Sequence, residues 1–422
     1  MTNSSALEIN CALYVITLVL YYYKKRTIDL AFICITMFSI SSIGSIIYYS
    51  FPEIEIGYSN VTLKPLIYVY VLFLIIVFPL AKLKLADIKQ FNVSFKYLEL
   101  FSLVFIVASI PVFFNLIIDL FTQSFAGNYF ALMYDNDSDN SKLLLIPAVQ
   151  PFYAVIRRFY DIVVVLFLLN ILKGNKRYSY LLFLSILTFF IMPFLSGSRG
   201  GIVISAMKLV GYYIVFSALY PQKIRRLFKV TGIVTLSLLI MLLAVISISR
   251  FNDKAHSGSY MIQQWVSLYL GEGFIRFSDV LWDIQRTLDG DKNFPFFKSL
   301  LGFDVILDND KAIEVYSAYL GAKTDVFYTF IGSFYIDFGR KLNVVWFMLL
   351  SFISYLIVRT INRTKSINFL QIFYIVYLYN LIATGFTANP YAISHTQRDI
   401  TFQWVLILII YIISRRTPKR QF

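Results

Sequence analysis

Apolar residues run along this chain in long uninterrupted blocks, with no alternation of period two. The blocks fall at Ala6–Tyr23, Ile28–Ser50, Pro65–Ala81, Tyr97–Phe121, Tyr153–Leu172, Tyr178–Leu195, Gly200–Tyr220, Val230–Ile248, Asn343–Val358, Ile367–Phe386 and Ile400–Ile413. Most approach the roughly 20 residues that carry a helix across a bilayer. They predict an all-α polytopic membrane protein with eleven transmembrane helices. One further block, Val326–Phe338, has only 13 residues. Counted as a span, it moves every later basic connection to the opposite side. It is therefore read as a re-entrant segment that enters from the outer face and returns.

Charge then sets the orientation. Every second connection is basic: Lys24, Lys25 and Arg26; Lys82, Lys84, Lys89 and Lys96; Lys173, Lys176 and Arg177; Lys223, Arg225, Arg226 and Lys229; Arg359, Arg363 and Lys365; Arg415, Arg416, Lys419 and Arg420. The positive-inside rule places these loops and the C-terminus on the cytoplasmic side and the N-terminus outside; with the resemblance given below, outside means the periplasm. The remainder is net acidic, so the overall charge of +14 reflects orientation and predicts no nucleic-acid partner. Met1–Asn10 has no basic segment, so the first block is read as a span and not as a signal peptide. Charged residues are 15% of the chain and hydrophobic ones 58%, against about 25% charged in soluble domains. That excludes a soluble enzyme and a protein with one anchor. The resulting organisation is residues 1–248 with eight helices, a large periplasmic loop at 249–325, and residues 326–422 with the re-entrant segment and three helices. Within the loop, Tyr260–Leu288 has helical character and Gly290–Glu314 reads as loop with short helices.

Ionisable groups at membrane depth point to function. Arg157 and Arg158 fall about one turn inside the fifth span, because a helix starting at Phe159 is too short to cross. Asp161 stands four residues from Arg157 and can neutralise it, leaving either a structural cluster or one spare arginine for a ligand. Lys208 lies mid-span, with Asp119 as one available partner. The outer turn Ser196-Gly197-Ser198-Arg199-Gly200-Gly201 combines glycines, a helix start and a cation, which suits a phosphate; its glycines equally suit helix packing. Arg250, Arg276, Arg398, His256 and His395 collect on the same outer side. In His395-Thr396-Gln397-Arg398-Asp399, a base stands beside a cation and a carboxylate. Asp135–Ile146 begins like a calcium loop but lacks its glycine and closing glutamate. Asp289-Gly290-Asp291 and Asp308-Asn309-Asp310 read as turns, and no metal or nucleotide motif is present. Cys11 and Cys34 lie at opposite depths and are not expected to pair.

The Ser196–Gly201 turn before a large outer loop, together with Thr329–Gly339 (TFIGSFYIDFG) after it, resembles the Wzy family of O-antigen polymerases, relatives of the O-antigen ligases. The resemblance implies a GT-C-like glycosyltransferase of the bacterial inner (plasma) membrane, independent of metal and without a cofactor. Its substrates would be undecaprenyl-diphosphate-linked glycans, met among membrane lipids, with a chain-length regulator and a flippase as partners. Arg199 matches the family's arginine; Arg250 and Arg276 are added from their depth and side. His395 and Asp399, by analogy with ligases, and Asp337, in its Asp-Phe-Gly turn, are candidate bases. Gly197, Ser198, Gly200, Arg157, Arg158, His256 and Arg398 are expected to hold substrate. The rival readings are an O-antigen ligase and a lipid-linked oligosaccharide flippase, although no inverted repeat is visible.

Overall fold

The computed structural model describes residues 3–92, 98–124, 145–195, 199–232, 237, 258–324 and 327–415. The chain is a membrane-embedded helical protein. Among the described residues, seven helices are long and apolar enough to cross a membrane. In chain order the helices are α1 (Asn3–Lys25), α2 (Leu30–Tyr49), α3 (Pro52–Gly57), α4 (Leu63–Lys82), α5 (Leu98–Ser124), α6 (Gln150–Arg158), α7 (Tyr160–Lys173) and α8 (Lys176–Leu195). They continue with α9 (Arg199–Ser217), α10 (Gly258–Arg276), α11 (Pro295–Leu300), α12 (Asn309–Leu320), α13 (Thr329–Thr364), α14 (Phe369–Ala383) and α15 (Ser394–Arg415). The seven are α1, α2, α4, α5, α8, α9 and α13. The expected spans at 367–386 and 400–413 form α14 and α15, while most of Val230–Ile248 lies outside the described residues.

Contacts divide the chain into two units, Met1–Lys84 with Gln263–Thr364 and Tyr374–Thr401, and Leu85–Ile262 with Lys365–Phe373 and Phe402–Phe422. In the first unit, α4 and the second half of α13 run parallel. The Tyr68 hydroxyl donates to the Arg340 carbonyl at 2.8 Å, Ser351 Oγ to the Ile75 carbonyl at 2.6 Å, and Asn362 Nδ2 to the Lys82 carbonyl at 2.8 Å. The basic connections after α4 and after the second half of α13 therefore lie at the same end of this helix pair. α13 breaks at Gly339, where φ is 64° and ψ is −174°, a left-handed geometry that favours glycine. Ten residues precede the break, too few for a crossing helix.

From residue 263 onward, the segment read as a large periplasmic loop belongs to the first unit, and the end of α10 is packed into its core. Ser41 Oγ donates to the Leu270 carbonyl at 2.5 Å, and a methyl added at Gly271 would fall on the backbone of Gly44 and Ser45. Two facing glycines let α2 and α10 touch backbone to backbone, as small residues do between membrane helices. Phe274 is fully buried and lies 5.4 Å from Tyr14 and 6.0 Å from Phe38, centroid to centroid.

In the second unit, α7 is buried on every side from Tyr160 to Asn170, as expected of a helix that is hydrophobic all round. Asn170 Nδ2 donates to Ser102 Oγ at 3.0 Å and Lys173 pairs with Glu99 at 2.6 Å, fixing α7 antiparallel to α5. Among the described residues the all-helical expectation has one exception: Gln90–Asn92 (β1) pairs in parallel with Ser366–Asn368 (β2).

Candidate functional site

The Asp-Phe-Gly segment ends the first half of α13 in a polar clamp within the first unit. Asp337 is 1% exposed. Its carboxylate accepts the backbone N–H of Lys292 at 3.1 Å and of Asn293 at 2.8 Å, and Asn293 Nδ2 at 2.6 Å. Asn293 Nδ2 also donates to the Ser333 carbonyl at 2.6 Å, and Asn293 Oδ1 accepts Asn389 Nδ2 at 2.7 Å. Gln397 Nε2 donates to the Asn293 carbonyl at 2.6 Å, while Gln397 Oε1 accepts the Phe296 N–H at 3.2 Å. A buried polar network in which each member is satisfied fixes one conformation. Both oxygens of Asp337, a candidate base by its sequence position, hold the loop at 292–293 against α13. Ser333, Asn293, Asn389 and Gln397 went unnoticed in the sequence because uncharged amides and hydroxyls among apolar residues give no charge signal. The i, i+4 spacing of Ser333 and Asp337 was the one available hint.

The helix holding this clamp starts under strain. Thr329, buried, has φ of 63°, a conformation that a β-branched residue rarely adopts. It is held there by its N–H to the Thr387 carbonyl at 2.9 Å and by the Phe330 N–H to the Gly385 carbonyl at 2.6 Å. Such strain persists only where the surroundings overdetermine the backbone, and it concentrates at functional sites.

His395, Arg398 and Asp399 stand in the first turns of α15. Gln397 points inward and is 3% exposed, whereas His395 and Arg398 are exposed. Arg398 Nε lies 3.9 Å from Asp399 Oδ1. The turn thus presents a base and a cation from a backbone fastened to the same loop as Asp337. Arg276, at the end of α10, is not a spare cation. Its Nη1 lies 3.3 Å from Glu272 Oε1 and 3.3 Å from the Tyr58 hydroxyl, which itself donates to Glu272 at 2.9 Å. Burial, then the Glu272 charge, pushes the Tyr58 hydroxyl up to about 12, so it remains a donor. Sequence reasoning also passed over Lys292, whose Nζ donates to the Thr324 carbonyl at 2.5 Å, and Arg340, whose guanidinium lies 3.8 Å above the Trp282 ring.

The remaining candidates belong to the second unit. Arg199 is the first residue of α9, and Gly200, exposed, has open space where a side chain would stand. Packing does not require that glycine. Gly197, Ser198, Arg250 and His256 lie outside the described residues, as does most of Asp135–Ile146. The expected continuous helix through Arg157 and Arg158 is broken: α6 ends at Arg158, Phe159 has φ of −110° and ψ of 22°, and α7 starts at Tyr160. Arg157 is exposed, and Arg158 lies 4.8 Å over the Phe402 ring with its carbonyl accepting Gln403 Nε2. The ion pairing also differs from expectation. Asp161 receives Lys208 Nζ at 3.0 Å and the Tyr212 hydroxyl at 3.2 Å, while Asp119 accepts Asn115 Nδ2 at 2.7 Å. The break at Phe159 moves Asp161 into the first turn of α7, facing α9.

Asp289-Gly290-Asp291 is a turn, with φ of 51° at Asp289 and 95° at Gly290, whereas Asp308-Asn309-Asp310, also expected to be a turn, starts a helix: Asp308 caps α12 through the Lys311 N–H at 2.9 Å. Among the described residues, no group of three or more His, Cys, Asp or Glu is arranged to hold a metal ion. The chain matches no family model, no curated protein and no solved structure.

Proposed function

We propose that this protein is an O-antigen-type polymerase, a GT-C-like glycosyltransferase that joins lipid-linked oligosaccharide repeat units at the outer face of the bacterial inner membrane. A hydroxyl of the acceptor unit attacks the anomeric carbon of the donor glycan. The new bond is oxygen to anomeric carbon, the bond to the phosphate oxygen breaks, and undecaprenyl diphosphate leaves with the electron pair. Arg199 carries the charge that develops on the diphosphate, the preorganised electrostatic mode of catalysis. His395, oriented with Asp399 four residues on, accepts the hydroxyl proton. Arg398, exposed beside them, is suited to a second phosphate.

The observation that supports this reading is a shared fastening within the first unit. The Asp-Phe-Gly clamp and the His395–Asp399 turn bind one loop, Asn293, through Asp337 and Gln397. A late outer histidine on a rigid platform is what the acceptor hydroxyl needs. Replacing Arg199 with alanine should remove the long-chain ladder on a lipopolysaccharide gel at unchanged protein level, and Arg199→Lys should rescue poorly because lysine lacks the bidentate fork. An intact ladder in Arg199→Ala overturns the assignment. Deletion of the gene should leave lipopolysaccharide capped by single repeats; bare core with accumulated polymer would indicate a ligase instead.

A further inference from the structure

Between the basic C-terminal end of α1 and the start of α2 lies an open groove of about 680 Å³, lined by Leu18, Val19, Tyr22, Tyr23, Arg26 and Phe32. Its volume falls within the roughly 300–1,000 Å³ of sites that take small molecules. Arg26 alone among these residues carries charge, and it stands at one end. From Leu18 to Arg26 the α1 wall extends about 12 Å, at about 1.5 Å per residue. The same face of α1 is apolar and turned outward, with Ile16 55%, Val19 59% and Leu20 62% exposed. A face of this kind on a membrane-crossing helix meets hydrocarbon.

Arg26 occupies an unusual place. Its φ is 51°, in the left-handed region, and its N–H closes α1 onto the Tyr22 carbonyl at 2.8 Å. Helix ends of this geometry favour glycine, yet an exposed arginine stands there. The nearest acid, Asp29, is occupied by the Tyr21 hydroxyl at 2.8 Å and by the Phe32 N–H at 2.9 Å as the cap of α2. Lys24 and Lys25 precede Arg26 in the last turn of α1.

We propose that this groove binds one anionic phospholipid, its phosphate against Arg26 and an acyl chain along Leu18, Val19, Tyr22 and Phe32. Cation clusters at the ends of membrane helices favour anionic head groups. A zwitterionic choline lipid cancels its own phosphate charge and gains less. The tyrosines at the mouth match the aromatic residues that gather at the membrane–water boundary.

The test is native mass spectrometry of the full-length protein released from mixed phosphatidylglycerol and phosphatidylcholine micelles, scoring which lipid stays bound. The wild type should retain phosphatidylglycerol several-fold over phosphatidylcholine. Arg26→Gly eases the left-handed backbone, so it removes the cation without unfolding the turn. It should lower that preference about five-fold, one cation's share of the attraction, at an unchanged thermal midpoint. Arg26→Lys should keep most of the preference, and Leu18→Trp, which fills the groove, should lower retention of both lipids. An unchanged lipid ratio in Arg26→Gly overturns the proposal, as does an equal fall in Lys84→Gln, which removes a charge from a different basic connection.

Discussion

Three N–H donors converge on the Asp337 carboxylate two residues before the chain breaks at Gly339. Each buried donor left without its acceptor costs about 1–3 kcal/mol, so Asp337→Ala should lower the thermal midpoint strongly. Asp337→Asn keeps one acceptor oxygen and should lose less. If the residue clamps the loop, polymer formation and midpoint fall together in both variants; a lost ladder at an unchanged midpoint in Asp337→Asn would make it a reacting group. Gln397→Ala should resemble a mild Asp337 variant, since it frees the Asn293 carbonyl. The pair of Lys208 and Asp161, with side chains 16% and 2% exposed, makes a second residue-level prediction. Removing one partner of a buried pair costs about 3–5 kcal/mol, while replacing both by apolar residues is often near neutral. Lys208→Met should therefore destabilise far more than Lys208→Met with Asp161→Leu, as read by thermal denaturation in detergent.

At the scale of elements, glycines with opposite surroundings separate packing from ligand access. Gly271 meets the α2 backbone at Gly44, so Gly271→Ala must push α10 off α2 and should lower expression and the thermal midpoint. Gly200 meets nothing. Gly200→Ala should leave the midpoint within error yet shorten the polymer ladder, because a methyl there blocks close approach of a ligand to the α9 start. A normal ladder in Gly200→Ala would return that glycine to a passive role. Blocks of apolar residues located the helices well, since helix length in a bilayer is set by thickness. Breaks inside the blocks were poorly legible. Phe159 ends α6 without proline or glycine, so nothing local marks it, whereas Gly339 could be suspected from its residue type.

Across the whole molecule, the alternation of basic connections already indicated which loops share a side. The parallel run of α4 beside the second half of α13 agrees, since Asn362 bonds to both Lys82 and Lys84. The region at 249–325 looked from composition like a large loop, and tertiary contacts join residues 263–324 to the first unit, with Phe274, Phe277 and Leu281 in its core. The sequence by itself determined that this is a helical membrane protein, roughly where its helices lie and how its charges divide, because hydrophobic length and charge asymmetry are local properties that the bilayer reads directly. Tertiary structure alone decided which distant polar groups meet: Asp161 with Lys208, and Asp337 with Asn293. Those partners are up to 47 residues apart, and a buried polar group takes whichever partner the packing of neighbouring helices brings within reach.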